Sequence, residues 1–432
     1  MNGKRLLAAV CTAIAAAGAA AQVQPKVTAN DLKADVSFLA SDALEGRGTP
    51  SKGLDIAAEY IAAEFRRAGL EPAGDDGYFQ TADFNSVGRS PEGVELTLEI
   101  GGQKIKVDRG SMAAHILTPI AQQPLKLRNV IGVLRGSDPA LKDTYLVLTA
   151  HYDHLGVRGS GDGDHIFNGA NDDASGTSSV VEIAKALASL AQRPRRSIVF
   201  MTLFGEELGE LGSRYYCQHP VFPLAKTVAD INLEQLGRTD DTEGPRLLQF
   251  NLTGFDYTDI AAFLSKAGEE TGIRVVKHEQ NSDSFFGRSD NAAFADAGVP
   301  STTLSGSYIF PDYHRPGDEW PKLDYDNMAK VDGAVALGVY RIADSAEAPQ
   351  WNKANPKTAR YVQAREKQCA VGPPILAAAG FQPATSRLKG GCGQDCPPHN
   401  GKAPQIPAFR ASTRAMLDQS ISACPCATAE RK

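Results

Sequence analysis

The chain has 432 residues, 42% of them apolar, which is enough to build at least one sizeable core and argues against an intrinsically disordered protein. A formal net charge of −6 gives no sign of nucleic-acid binding, and beyond the amino terminus no segment is long and apolar enough to span a bilayer.

Residues 1–21 read as a cleaved signal peptide: a basic start at Lys4-Arg5, an apolar stretch from Leu6, and the small residues Ala19-Ala20-Ala21 before an expected cut at Gln22. Export to a periplasm or the cell exterior is the corresponding expectation. Apolar spacing predicts helices over Asp31 to Leu39 and Gly53 to Leu70, and between them lies the loop Asp42-Ala-Leu-Glu-Gly-Arg47-Gly-Thr. Val94 to Ile100 and Gln103 to Val107, joined through Gly101-Gly102, read as a β-hairpin. From about residue 130 to 340, strand and helix signals alternate, as one large α/β domain requires. Three continuous apolar runs, Thr144 to Ala150, Ser197 to Phe204 and Thr227 to Leu233, read as parallel strands buried on both faces. The helical pattern of Ala174 to Ala191 follows the first of them.

Chemistry-bearing residues collect where these runs end. His151-Tyr-Asp153 closes the first strand, Asp172-Asp173 stands at the start of the helix, Glu206-Glu207 follows the second strand, and Glu234 ends the third. Ser301 to Leu304 leads into a loop with Tyr313-His314. The carboxyl edge of an open α/β sheet is where sites form, and imidazole and carboxylate are the ligands zinc accepts besides thiolate. A pair of zinc ions needs a carboxylate that reaches both, for which Asp172 is the candidate, with His151 on one ion and Glu207 on the other. If Glu206-Glu207 is extended, the two side chains point to opposite sides, so that Glu207 binds metal while Glu206 faces the water. His154, His165, Asp162 and Asp164 fall in a Gly-rich stretch that reads as a surface loop. Ser289-Asp290-Asn291 reads either as part of the substrate pocket or as a helix N-cap.

These motifs, in this order over roughly residues 30 to 345, resemble the M28 family of zinc peptidases. The resemblance implies a three-layer αβα fold with a central, mostly parallel mixed sheet, like other zinc-dependent exopeptidases. It implies two Zn²⁺ per chain, one held by His151, Asp172 and Glu234 and the other by Asp172, Glu207 and His314. Glu206 corresponds to the general base and acid, Asp153 to the partner of the far nitrogen of His151, and Asp173 to a second orienting acid. Tyr313 is a candidate oxyanion donor. Where many members of the family carry aspartate, this chain carries Glu234.

Peptides are the implied substrates, and removal of N-terminal residues is the leading activity. Carboxypeptidase action, a single-zinc glutaminyl cyclase-like acyl transfer and a non-catalytic binding domain are the alternatives; Asp173 argues against the cyclase. The peptidase domain is expected over residues 22–350, with helices and hairpin at 30–130 and the catalytic core at 130–345. Beyond Trp351 the composition shifts: Cys369, Cys392, Cys396, Cys424 and Cys426 are five of the seven cysteines, and periodicity fades. Residues 351–432 read as a disordered or disulfide-stapled extension rather than a metal module built on Cys392, Cys396, Cys424, Cys426 and His399. Cys217 reads as a buried helix residue.

Overall fold

A computed structural model of the protein describes residues 24–87, 97–100, 103–106 and 122–370. Nine strands build one mixed sheet: β1 (Glu71–Pro72), β2 (Phe79–Val87), β3 (Gln122–Leu134), β4 (Tyr145–His151), β5 (Ser197–Leu203), β6 (Thr227–Glu234), β7 (Gln249–Leu252), β8 (Arg274–Val276) and β9 (Ser301–Ser305). Their order is β1-β3-β5-β4-β6-β9-β7-β8, with β2 also paired to β3. The middle four strands, β5, β4, β6 and β9, run parallel, while β3 and β7 join them antiparallel. Every residue of β4, β5 and β6 is buried, which is why each reads in sequence as an unbroken apolar run.

Register decides where the functional residues meet. His151 lies opposite Leu203 of β5, and Thr149 lies opposite Asn232 of β6. Two residues further along the parallel pair, Glu234 is therefore level with His151. The three strands deliver their last residues to one edge of the sheet.

Successive side chains of a strand face opposite sides, and each side of this sheet has its own core. Leu146, Leu148, Ala150, Ile198 and Phe200 pack with residues of α1 (Ala29–Leu39), α2 (Lys52–Arg67), α3 (Gly176–Ala188), α5 (Ile260–Thr271) and α7 (Tyr325–Asp344). Tyr145, Val147, Val199, Met201 and Leu203 pack on the other side with Tyr216 of α4 (Leu211–Gln218) and Phe294 of α6 (Asn291–Asp296). The result is the expected αβα layering around a mostly parallel mixed sheet. Thr28 and Ser51 cap α1 and α2 by accepting from the third residue onward, as the sequence starts of both helices require. Cys217 lies in α4, half-buried against the second core.

On α7, Asp332 is fully buried and accepts a hydrogen bond from Ser179 of α3 at 2.8 Å. Burial raises its pKa to about 8, so the fold holds a proton that the unfolded chain releases near pH 4. Stability must then fall as pH rises between these two values. Asp332→Asn keeps the acceptor and removes the ionisation. Its Tm is expected to match wild type near pH 4 and exceed it by several degrees at pH 8; equal shifts at both values would contradict the ionisation argument.

Two expectations about boundaries need correction or restriction. Folded structure continues past residue 350: Trp351 is 5% exposed, its indole donates to the Gly298 carbonyl at 3.0 Å, and it stacks on Tyr361 of α8 (Ala359–Ala370). The folded part of the chain thus includes the first part of the segment assigned to the extension, through a small cluster with Tyr257, Phe286 and Ala295. The hairpin is present as Thr97–Ile100 paired antiparallel with Gln103–Lys106. The signal peptide expected at 1–21 and the cysteines Cys392, Cys396, Cys424 and Cys426, with His399, lie outside the described residues. No helix among the described residues is long and apolar enough to cross a membrane.

Candidate metal centre

Five chain segments converge at the carboxyl edge of β4, β5 and β6. His151 ends β4. The turn Gly169–Ser175 precedes α3 and carries Asp172 and Asp173. After β5, Gly205 takes a left-handed conformation at φ 69°, and Glu206 to Leu208 follow as a single tight helical turn. Glu234 ends β6, and Tyr313-His314 comes from the loop after β9.

The ligand atoms fall into two groups that share Asp172. His151, Asp172 and Glu234 present donor atoms within 4.8 Å of one another, and so do His154, Asp172 and Glu207. In the first group His151 Nε2 lies 3.3 Å from Asp172 Oδ1 and 3.8 Å from Glu234 Oε1. In the second, His154 Nδ1 lies 2.7 Å from Glu207 Oε1. His314 Nε2 reaches the same pair of carboxylates, at 3.1 Å from Asp172 Oδ2 and 3.5 Å from Glu207 Oε2. Glu206 Oε2 stands 4.0 Å from His151 Nε2, beside the first group but outside it.

These residues fit a divalent cation such as zinc. His151 Nε2, His154 Nδ1 and Glu207 Oε1 are buried with no hydrogen-bond partner among the described residues. Leaving such atoms unpaired costs roughly 1–3 kcal/mol each, and several facing carboxylates in a dry site repel one another. Cations remove both costs. The titration pattern of the protein alone reflects the crowding. Burial lowers the His151 imidazole, but Asp153 and Asp172 outweigh it and hold His151 well above its usual value. Glu206 is pushed well above the carboxylate range by burial, against the pull of His151 and with help from Glu234 and Asp290. Burial likewise lifts Glu234 to about 7, His151 opposing and Asp172 adding to the shift.

Hydrogen bonds hold the backbone of the turn. Asp318 accepts from the amides of Asn171 and Asp172 at 3.0 Å each, and Asp173 Oδ1 accepts from those of Gly176 and Gln235 at 2.9 and 3.1 Å. Asp173 thus ties the turn to the end of β6. Asp318 had no signal in the sequence, since it lies far along the chain in an unpatterned loop.

Other expectations change. Asp153 does not bond the His151 ring through its carboxylate, which stays 3.6 Å away; His151 Nδ1 instead meets the Asp153 backbone carbonyl at 3.1 Å. The Asp153 carboxylate accepts from the Glu206 amide at 3.1 Å and the Thr49 hydroxyl at 3.0 Å, so it positions Glu206. Glu206 and Glu207 are not extended; the Gly205 turn, rather than strand alternation, sends one to each side. Ser289 does not cap a helix: its hydroxyl donates to Glu234 Oε1 and accepts from Asn232 at 2.8 Å. Tyr313 stacks on His314, with ring centroids 4.0 Å apart. His165, Asp162 and Asp164 do belong to a peripheral loop, but His154 is only 1% exposed and sits in the second group.

Comparison with known proteins agrees with this geometry. Residues 129–339 match the profile of peptidase family M28. Aminopeptidase YwaD of Bacillus subtilis strain 168 is 25% identical over 274 residues, 60% of this chain and 56% of its own length. A probable zinc metalloprotease of Leptosphaeria maculans is 31% identical over 180 residues, 42% of this chain and 34% of its own. The chain thus spans about half the length, or less, of these curated relatives. Among solved structures, an aminopeptidase from Aneurinibacillus sp. strain AM-1 superposes with a TM-score of 0.55 at 16% identity, covering 76% of this chain and 97% of its own. BSAP, a zinc aminopeptidase from Bacillus subtilis, gives 0.55 at 19% identity, covering 75% and 97%. At these identities the likeness is one of fold.

Proposed function

We propose that this chain, whose residues 129–339 match peptidase family M28, is a member of that family and an exported aminopeptidase that holds two zinc ions and removes N-terminal residues from peptides. The observation that carries this reading is the pair of ligand groups sharing Asp172, with Glu206 beside them and outside both. His151, Asp172 and Glu234 would hold one ion; Asp172, Glu207 and His314 would hold the other. The aminopeptidase direction is supported by relatives named for that activity. Export rests on residues 1–21.

When bound, the ions would supply a Lewis acid for the peptide carbonyl and acidify a water toward neutrality. The remaining chemistry belongs to the chain. Glu206 takes a proton from the attacking water at its carboxylate and returns it to the departing amine nitrogen. Its amide, fixed by Asp153, sets where that carboxylate stands. The Ser289 hydroxyl fixes Glu234, whose extra methylene relative to aspartate would otherwise leave it a further free rotation. Tyr313, pinned against His314, offers its hydroxyl to the oxygen that becomes negative as the carbonyl is attacked.

The test is hydrolysis of matched free and N-acetylated peptides by the protein recovered from the periplasm or medium. Cleavage of the free peptides alone, abolished by a chelator and restored by zinc, is expected, from a protein whose first residue is Gln22. Cleavage of acetylated peptides would refute the direction, absence of any hydrolysis from zinc-loaded protein would refute the activity, and retention of residues 1–21 would refute the export.

A further inference from the structure

We propose that His154 is itself a ligand of the second ion, so that this position is closed by four protein donors, His154, Asp172, Glu207 and His314. The inference rests on the two-metal reading above and adds a residue to it. His154 leaves β4 three residues after His151, and its amide reaches the Arg47 carbonyl at 3.3 Å. Its ring lies against Gly169, where a Cβ would come within 2.4 Å of the imidazole Cγ. Gly169 also sits at φ 57°, a conformation other residues rarely adopt. The backbone therefore presses directly on the ring and sets its direction.

That direction is toward the second group. His154 Nδ1 approaches Glu207 Oε1 at 2.7 Å, yet neither atom has a hydrogen-bond partner among the described residues, so the two lie side by side rather than donor to acceptor. Two ligands aimed at a common ion have this arrangement. His314 stands across from His154, the rings edge to face at 5.7 Å, and reaches the same carboxylates from its own side. A surface-loop histidine would be solvated, but this one is dry, and a buried imidazole with unpaired nitrogens persists only where something else satisfies it.

The consequence is an unequal pair. Three protein donors at the first position, His151, Asp172 and Glu234, leave it open to exchange, whereas four at the second make it closed in the manner of structural zinc. The second ion should be the one retained when metal is scarce.

Two measurements test this. In a crystal structure of the zinc-loaded wild-type protein, a zinc to His154 Nδ1 distance of about 2.0–2.1 Å is expected; a ring that only donates to Glu207, beyond bonding distance of zinc, would overturn the proposal. Zinc binding to His154→Gln, followed by calorimetry, should show one of two sites weakened by more than the roughly 10–100-fold that loss of a merely orienting group causes. Two unchanged sites in that variant would sink His154 as a ligand while leaving the two-metal reading intact. Failure of the wild type to take up two ions would instead sink the reading on which it rests. Should the variant fail to fold, the wild-type crystal structure still decides the matter.

Discussion

Glu206→Gln is expected to lower kcat by roughly 10²–10⁴-fold, the contribution of a positioned acid–base group, with zinc content unchanged. Glu206 stands outside both ligand groups, 4.0 Å from His151 Nε2, so removing its charge takes away no metal donor. Glutamine has nearly the same shape, and the hydrogen bond from the residue 206 amide to Asp153 is a backbone interaction that the substitution leaves in place. What it removes is the ability to hold a proton and pass it on. Burial and the acids around it raise the Glu206 carboxyl in the protein alone, His151 opposing, and bound cations would draw it back toward neutrality. A group balanced between those influences can act as base and then as acid. Zinc content, kcat and KM measured together distinguish the possibilities. Unchanged kcat would remove Glu206 from the mechanism, and lost zinc would make it a ligand.

How much of this centre the sequence reveals depends on how local the determining contacts are. β4, β5 and β6 are legible because burial on both faces forces long apolar runs, and their polar last residues stand out against them. His151, Glu206, Glu207 and Glu234 stand at or just beyond those strand ends, and the structure brings them together with Asp172 from the turn before α3. His154 is not legible in this way, because its burial is enforced by Gly169 and Arg47, remote in sequence, while its own surroundings are rich in glycine and look like surface. Asp318 is hidden in the same way: an acid in an unpatterned loop gains its role only from amides 146 and 147 residues away. Asp153 was placed near the right partner but with the wrong atoms, since sequence does not distinguish a backbone carbonyl from a carboxylate. The continuation beyond Trp351 is missed because α8 packs through few residues, among them Tyr361 and Val362, and is otherwise strongly polar, leaving only a faint apolar period.

Arg47→Met is expected to destabilise the protein by on the order of 3–5 kcal/mol, the cost of breaking a buried charged network, and to weaken metal retention with it. Arg47 is 1% exposed. Its guanidinium donates to the carbonyls of Tyr152 and Asn168 at 2.8 Å each, of Gly169 at 3.0 Å, and of Leu39. Those four carbonyls come from the turn after β4, the approach to the Asp172 turn and the last residue of α1, so one side chain ties together the segments that carry His151, His154 and Asp172. Burial draws its pKa down to about 10, with Asp153 and Asp173 resisting, so it remains charged at neutral pH and offsets part of the site's negative charge. Methionine keeps much of the volume but takes the guanidinium donors from the buried carbonyls of Leu39, Tyr152 and Asn168, while the Gly169 carbonyl still accepts from the Ala174 amide at 3.1 Å. Lysine keeps the charge but not the planar fork, so Arg47→Lys should fall between Met and wild type rather than restore it. Thermal melts of the zinc-free and zinc-loaded proteins measure both effects. If Arg47→Met melts within a degree of wild type, the freed carbonyls find other donors and the clasp does not govern the site. If only the zinc-loaded difference persists, Arg47 acts on the metal centre through charge alone, a possibility that Arg47→Lys, keeping the charge, separates from the loss of hydrogen bonds.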